Sequence, residues 1–116
     1  MARHELVIPD WRPVSLNRLL GCHWGTRSRL KRRDRDLVAA YALALGIPGA
    51  QGRRRVTVRV EARGTPPDPD AALKSLLDAL VACGLLIDDS GEWCELGTPT
   101  AVRGREDRTV VTLEDL

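Results

Sequence analysis

The chain has 116 residues, 43% hydrophobic and 29% charged, with 18 Lys and Arg against 16 Asp and Glu for a net charge of +2. That length suits a single domain with one modest core, the near-balance of charge excludes a histone-like polycation, and no run approaches the ~20 apolar residues of a membrane span. Three cysteines without CxxC spacing and a start without a signal-peptide pattern read as reduced thiols in a cytoplasmic protein with no membrane partner.

In chain order, residues 4–8 carry the first strand pattern and run into Ile8-Pro9-Asp10-Trp11. Arg27, Arg29, Lys31, Arg32, Arg33 and Arg35 then crowd the opening of a helix predicted over 28–45, whose Leu30, Leu37, Val38, Tyr41 and Leu45 fall on one face. The outer face offers guanidinium forks, each able to pair with two phosphate oxygens. Asp34 and Asp36 interleave with these cations, so a merely solvated helix face is the second reading. Cys22-His23 together with His4 lacks the spacing of a zinc site. Trp24, set among Gly21, Gly25 and arginines, is a candidate for stacking on an exposed base, whereas Trp11 and Trp93 read as core or lid residues.

After Arg53-Arg54-Arg55, the alternation Val56-Val58-Val60 predicts a strand over 55–62. A proline-rich segment, Thr65-Pro66-Pro67-Asp68-Pro69-Asp70, leads into a helix predicted over 71–83, with Leu73, Leu76, Leu77 and Leu80 as its buried stripe and Gly84 as its stop. The apolar Leu85-Leu86-Ile87 precedes the turn residues Asp88-Asp89-Ser90-Gly91. Strands over roughly 92–102 and 109–113 flank the turn 103–107. The order implies an α+β domain spanning 1–116, a small mixed sheet of about four strands with two main helices on one face.

The chemistry concentrates between residues 68 and 89. Pro69 holds Asp68 in extended geometry, where side chains two apart share a side, so Asp68 and Asp70 bring two like charges together. A cation relieves that repulsion, and hard oxygen ligands on a stiff segment suit Mg²⁺ completed by water and substrate phosphate. Asp70 equally stands where a helix N-cap stands, and Asp68 where a solvated turn carboxylate would. Lys74 lies one turn beyond Asp70, away from the leucine stripe, and can pair alternatively with Asp78. The helix spans roughly 20 Å, and five extended residues cover about 17 Å, so Asp89 can return to the same site or serve a neighbouring subunit's.

The run Asp68-x-Asp70-x-x-x-Lys74-x-x-x-Asp78-x-Leu80, followed by Gly84 and Asp88-Asp89, resembles the RusA family of Holliday junction resolvases, dimeric Mg²⁺-dependent DNA endonucleases. Ile8-Pro9-x-Trp11-x-Pro13-x-Ser15-x-Asn17-Arg18 is similar to that family's opening strand and loop. The resemblance implies a RusA-like homodimer acting on branched, four-way DNA. It further implies that Asp68, Asp70 and Asp89 are the metal-binding catalytic carboxylates for Mg²⁺, or Mn²⁺ in its place, and that Lys74 is the catalytic lysine. Asn17, Arg18, Arg27, Arg29, Lys31, Arg32 and Arg33 would then face DNA. Two departures stand out: Ala71 occupies the position of the family's Asn, and Thr65-Pro66-Pro67 replaces the basic residues before the first Asp. They leave room for a weakened relative that binds branched DNA without cutting it, and beyond the family for a small interaction protein whose acidic turn is only a cap and loop.

Overall fold

The computed structural model describes residues 2–12, 20–70 and 73–116. Within these, five strands and two helices form a mixed sheet with its helices on one face: β1 (Arg3–Pro9), α1 (Trp24–Ala44), β2 (Arg54–Ala62), α2 (Leu73–Ala82), β3 (Cys94–Leu96), β4 (Thr100–Arg103) and β5 (Arg108–Asp115). The α+β architecture expected from the sequence is the one observed. Strand order is β1-β5-β2-β3, with β4 also on β2.

The centre of the sheet is the antiparallel pair β2 and β5, in register from Arg54 opposite Asp115 to Glu61 opposite Arg108. Alternation along both strands turns Val56, Val58 and Val60, with Val111 and Leu113, toward the helices, where Leu6, Ile8, Val38, Ala42, Leu76, Leu77 and Leu80 complete one core. The opposite face is a ladder of charge. Arg55 donates to Glu95 at 2.6 Å and lies 3.5 Å from Glu114, while Glu61 is held by Arg108 and lies 3.3 Å from Arg59.

The single strand expected over 92–102 is two. β3 pairs in parallel with residues 54–56 of β2, and β4 with residues 59–62, so that 97–99 face only Thr57 and Val58. This one-residue excess is a bulge. Gly97 donates its N–H to the Val56 carbonyl at 2.8 Å, and a Cβ there would lie 2.9 Å from Thr57 Oγ1, so the close approach requires glycine. Pro99 follows and has no N–H to offer the ladder.

Helix α1 begins four residues before the position expected from periodicity, because His23 caps it: its Nδ1 accepts the Gly25 N–H at 3.2 Å. Its buried residues are Leu30, Asp34, Val38 and Ala42, one per turn. Leu45, expected on the buried face, is the C-cap and is half-exposed. Asp34, read from sequence as interleaved with the cations of the outer face, is buried at 2% exposure and accepts the Trp11 indole N–H at 3.2 Å. Trp11 is fixed a second time where its carbonyl accepts the Thr109 hydroxyl at 2.9 Å. Helix α2 stops at Gly84, whose φ of +76° is a conformation that glycine adopts without strain.

Arg54 closes the lower end of the core. Only 1% exposed, it donates Nε to Asp115 Oδ1 at 2.6 Å and Nη1 to the Leu85 carbonyl at 3.0 Å. Removing Asp115 strands a buried guanidinium, whereas removing Arg54 leaves a half-exposed carboxylate that water can solvate. Asp115→Ala is therefore expected to lower the urea unfolding free energy more than Arg54→Met, by about 1 kcal/mol or more. Equal losses would contradict this account.

The pH dependence has a definite sign. Arg108 holds the Glu61 carboxyl below the usual carboxylate range, and Arg54 does the same to Asp115. Their stabilisation is complete above the unfolded carboxylate pKa of about 4 and is lost as pH falls through the lower folded values. Urea midpoints measured from pH 6 to pH 2 are expected to fall below about pH 4, and to fall less steeply in Glu61→Gln.

Candidate active site

Strand β2 delivers the proline-rich segment to one end of the sheet. Its root is held by the 103–107 loop: Gly104 donates its N–H to the Ala62 carbonyl at 2.8 Å, and the Arg63 N–H donates to Asp107 Oδ1 at 3.0 Å. At its far end Asp68 Oδ1 accepts the Asp70 N–H at 3.0 Å, closing a turn in which an Asp side chain substitutes for a backbone carbonyl. The Asp70 carbonyl then accepts the Leu73 N–H at 3.3 Å as α2 begins. Among the described residues, which leave out 71 and 72, the Asp70 side chain accepts from no amide. Both carboxylates are exposed.

Lys74 meets two of the sequence's candidate partners at once. Its Nζ lies 3.2 Å from Asp78 Oδ1, one turn along α2, and 3.7 Å from Asp89 Oδ2. Asp89 therefore comes within ion-pair distance of Lys74 in the same chain. The route differs from the extended return inferred from sequence, because Leu85 and Leu86 both donate their N–H groups to the Leu80 carbonyl and fold tightly under the helix end. The length of the lysine side chain spans the remaining gap. Asp78 and then Asp89 raise the Lys74 pKa, so the ammonium is fully charged at neutral pH.

The contacts thus join the site residues into two separate groups, the Asp68/Asp70 turn and the Lys74/Asp78/Asp89 cluster. Among the described residues no three carboxylate, imidazole or thiol groups stand together as a ready metal cage. The donor chemistry is still of the kind Mg²⁺ uses, since that ion keeps several waters and takes one or two carboxylates plus substrate phosphate. Burial pushes the Cys83 and Cys94 thiols up, away from the thiolate form.

The basic cluster divides. Arg29, Arg32 and Arg33 line an open groove of about 780 Å³ between α1 and the end of β1, together with Trp11, Leu37, Asp10 and Asp36. Lys31, grouped with them from sequence, turns instead toward α2, where it lines a small cleft with Arg35, Ser75 and Asp78. Arg27 reaches back to the Cys22 carbonyl at 3.5 Å. Asn17, Arg18 and Ala71 lie outside the described residues. No described helix is long and apolar enough to cross a membrane.

No protein-family model matches the chain, and no curated protein matches it closely enough to count as a relative.

Sequence reasoning missed the burial of Asp34, and the signal was available: it sits four residues from both Leu30 and Val38, on their own stripe. The chain's two lysines, Lys31 and Lys74, make one prediction direct. After reductive ¹³C-methylation, the Lys74 amine is expected to titrate at lower pH in Asp78→Asn than in wild type, with a smaller displacement in Asp89→Asn. Identical titration curves in all three proteins would remove both pairs.

Proposed function

We propose that the chain is a Mg²⁺-dependent, structure-specific endodeoxyribonuclease of the RusA kind, acting as a homodimer on four-way DNA junctions in a cytoplasmic setting. The observation that carries the reading is the position of Lys74, with Asp89 at 3.7 Å in the same chain and the Asp68–Asp70 turn immediately before its helix. Those residues are the ones the motif resemblance singles out. Their spacing of 15 residues between Lys74 and Asp89 gives no local reason for them to meet.

Asp68, Asp70 and Asp89 are the carboxylates that would hold Mg²⁺, or Mn²⁺ in its place. Once bound, the ion would supply a Lewis acid for the scissile phosphate and a water of lowered pKa. The residues of the chain do the rest. The Asp68 side chain, by holding the Asp70 amide, fixes the spacing of two carboxylates before any ligand arrives. Lys74 carries the positive charge that offsets the developing charge on a phosphate oxygen. Asp78 and Asp89 hold that ammonium in place and keep it protonated. A homodimer suits the substrate, because a junction with approximate two-fold symmetry presents two equivalent phosphates.

A second reading, a branched-DNA binder without cleavage, is favoured by the absence of a preformed three-carboxylate group among the described residues and by Ala71 in place of the family's Asn. One gel separates the two. An end-labelled four-way junction incubated with Mg²⁺ is expected to yield paired, symmetric nicks. Lys74→Met is expected to slow nicking about 100-fold or more, and Asp70→Asn to abolish it while leaving junction binding equal or tighter. A junction bound but never nicked by wild type would establish the binder instead.

A further inference from the structure

Lys31 and Arg35 stand apart from the groove arginines of α1. They lie one turn apart on the side that meets α2, where they line a cleft of about 180 Å³ with Ser75, Asp78, Ala79 and Ala82. The two helices are pinned beside this cleft, because the Cys83 thiol donates to the Arg35 carbonyl at 3.3 Å. Both cations are exposed, and among the described residues neither has a carboxylate within ion-pair distance. The one carboxylate in the lining, Asp78, is already engaged by Lys74 at 3.2 Å.

Ser75 is the second feature of the cleft. It is only 9% exposed, yet among the described residues its hydroxyl makes no hydrogen bond. A withdrawn hydroxyl without a partner is unfavourable, and so are two like charges four residues apart on a helix. A single anion in the cleft relieves both, since it accepts from the hydroxyl and neutralises the cations. The volume is that of about six waters, which is room for one phosphate group and too little for a nucleoside.

We propose that the cleft between α1 and α2 holds a backbone phosphate of the DNA strand, next along the chain from the phosphate that Lys74 meets. Lys31 and Arg35 neutralise it, and the Ser75 hydroxyl donates to one of its oxygens. This rests on the reading of the chain as a DNA-acting protein and names the contact that sets the path of the strand across the site. Cleft and site are contiguous because Asp78 belongs to both, lining the one and pairing with the lysine of the other. A strand engaged at Lys74 therefore passes the cleft. Every arm of a fully paired four-way junction carries such phosphates, so the contact fixes position and adds affinity without reading bases.

The test uses the full chain in EDTA, so that no cleavage occurs, and follows fluorescence anisotropy of a labelled four-way junction. Single methylphosphonates, which lack the phosphate charge, are placed in turn along one strand across the branch point. The double variant Lys31→Gln/Arg35→Gln is expected to bind the unmodified junction about tenfold more weakly than wild type, with a salt slope smaller by about 0.9. Ser75→Ala is expected to lose about threefold. At one position the methylphosphonate is expected to weaken wild type about tenfold and to cost neither of these variants anything further, while Lys74→Met shows the same insensitivity at the adjacent position. The signal of ¹³C-methylated Lys31 is expected to move on adding the junction. Losses that add at every position, an unchanged salt slope, or no binding by wild type would overturn the proposal. So would a Lys31 signal that inorganic phosphate moves as far as the junction does while all losses add, which would make the cleft a site for free anions. Nicking in Mg²⁺ is read separately. Shared loss at one position in a protein that never nicks keeps the phosphate cleft and removes the nuclease, whereas paired nicks with additive losses do the reverse.

Discussion

The β2–β5 ladder is the constraint from which the rest of the molecule follows. Its register, Val56 opposite Leu113 and Val58 opposite Val111, decides which side of the sheet is apolar, and a slip of one residue would turn every one of those side chains to solvent. The same register puts Arg54 opposite Asp115 at one end and Glu61 opposite Arg108 at the other, so that both ends of the pairing are closed by oppositely charged partners. With β2 fixed, its last residue Ala62 determines where the proline-rich segment leaves the sheet. The candidate site therefore inherits its position from a strand pairing that none of its own residues makes.

The two faces of this sheet use charge differently. On the opposite face, guanidinium and carboxylate groups alternate across strands, and Arg55, Glu95 and Glu114 stay partly exposed, so each of their pairs contributes little alone. At the lower end of the core, Arg54 is withdrawn from water, and its value lies in the Leu85 carbonyl and the Asp115 carboxylate it joins. That bond ties the segment after α2 to the end of β5, and the segment after α2 is the one that carries Asp89. The Leu85 carbonyl held by the buried Arg54 and the exposed site carboxylate Asp89 are in this way only four residues apart along the chain.

Much of the fold was legible because its signals are local. Val56-Val58-Val60 announces a half-buried strand, the leucine spacing of 73–80 announces α2, and Gly84 stops it where a positive φ is needed. What escaped depends on partners distant in sequence. The bulge at 97–99 exists because Gly97 approaches Thr57, forty residues away, and nothing near Gly97 encodes that approach. The start of α1 was misplaced because histidine is an uncommon cap and Trp24-Gly25 reads as loop. In the site, the Asp68–Asp70 turn and the Lys74–Asp78 pair are readable from spacing. The return of Asp89 within one chain needed the fold around Leu80 to decide it. The division of the basic cluster needed the third dimension too, since Lys31 and Arg32 are neighbours in sequence but a helix sets them about 100° apart.

Helix α1 is held to the rest of the fold by a narrow seam. It has 21 residues, yet it buries only Leu30, Asp34, Val38 and Ala42, with Leu37 and Tyr41 partly covered beside them. A stripe one residue wide per turn is narrower than the apolar face of a typical surface helix. One of its four members is a carboxylate, and it is satisfied by Trp11 rather than by apolar contact. Of the groove arginines, Arg29 reaches only the Thr26 hydroxyl, at 3.4 Å, and Arg33 lies 4.0 Å from Asp34. Holding the helix by a thin seam and a polar pin leaves Arg29, Arg32 and Arg33 facing the groove with their hydrogen-bonding capacity largely unspent, and Trp24 at the tip beyond the seam. The same economy of packing explains the high exposure of the ring: no element of the described fold passes over the start of α1, and the cap that orients it comes from the adjacent histidine.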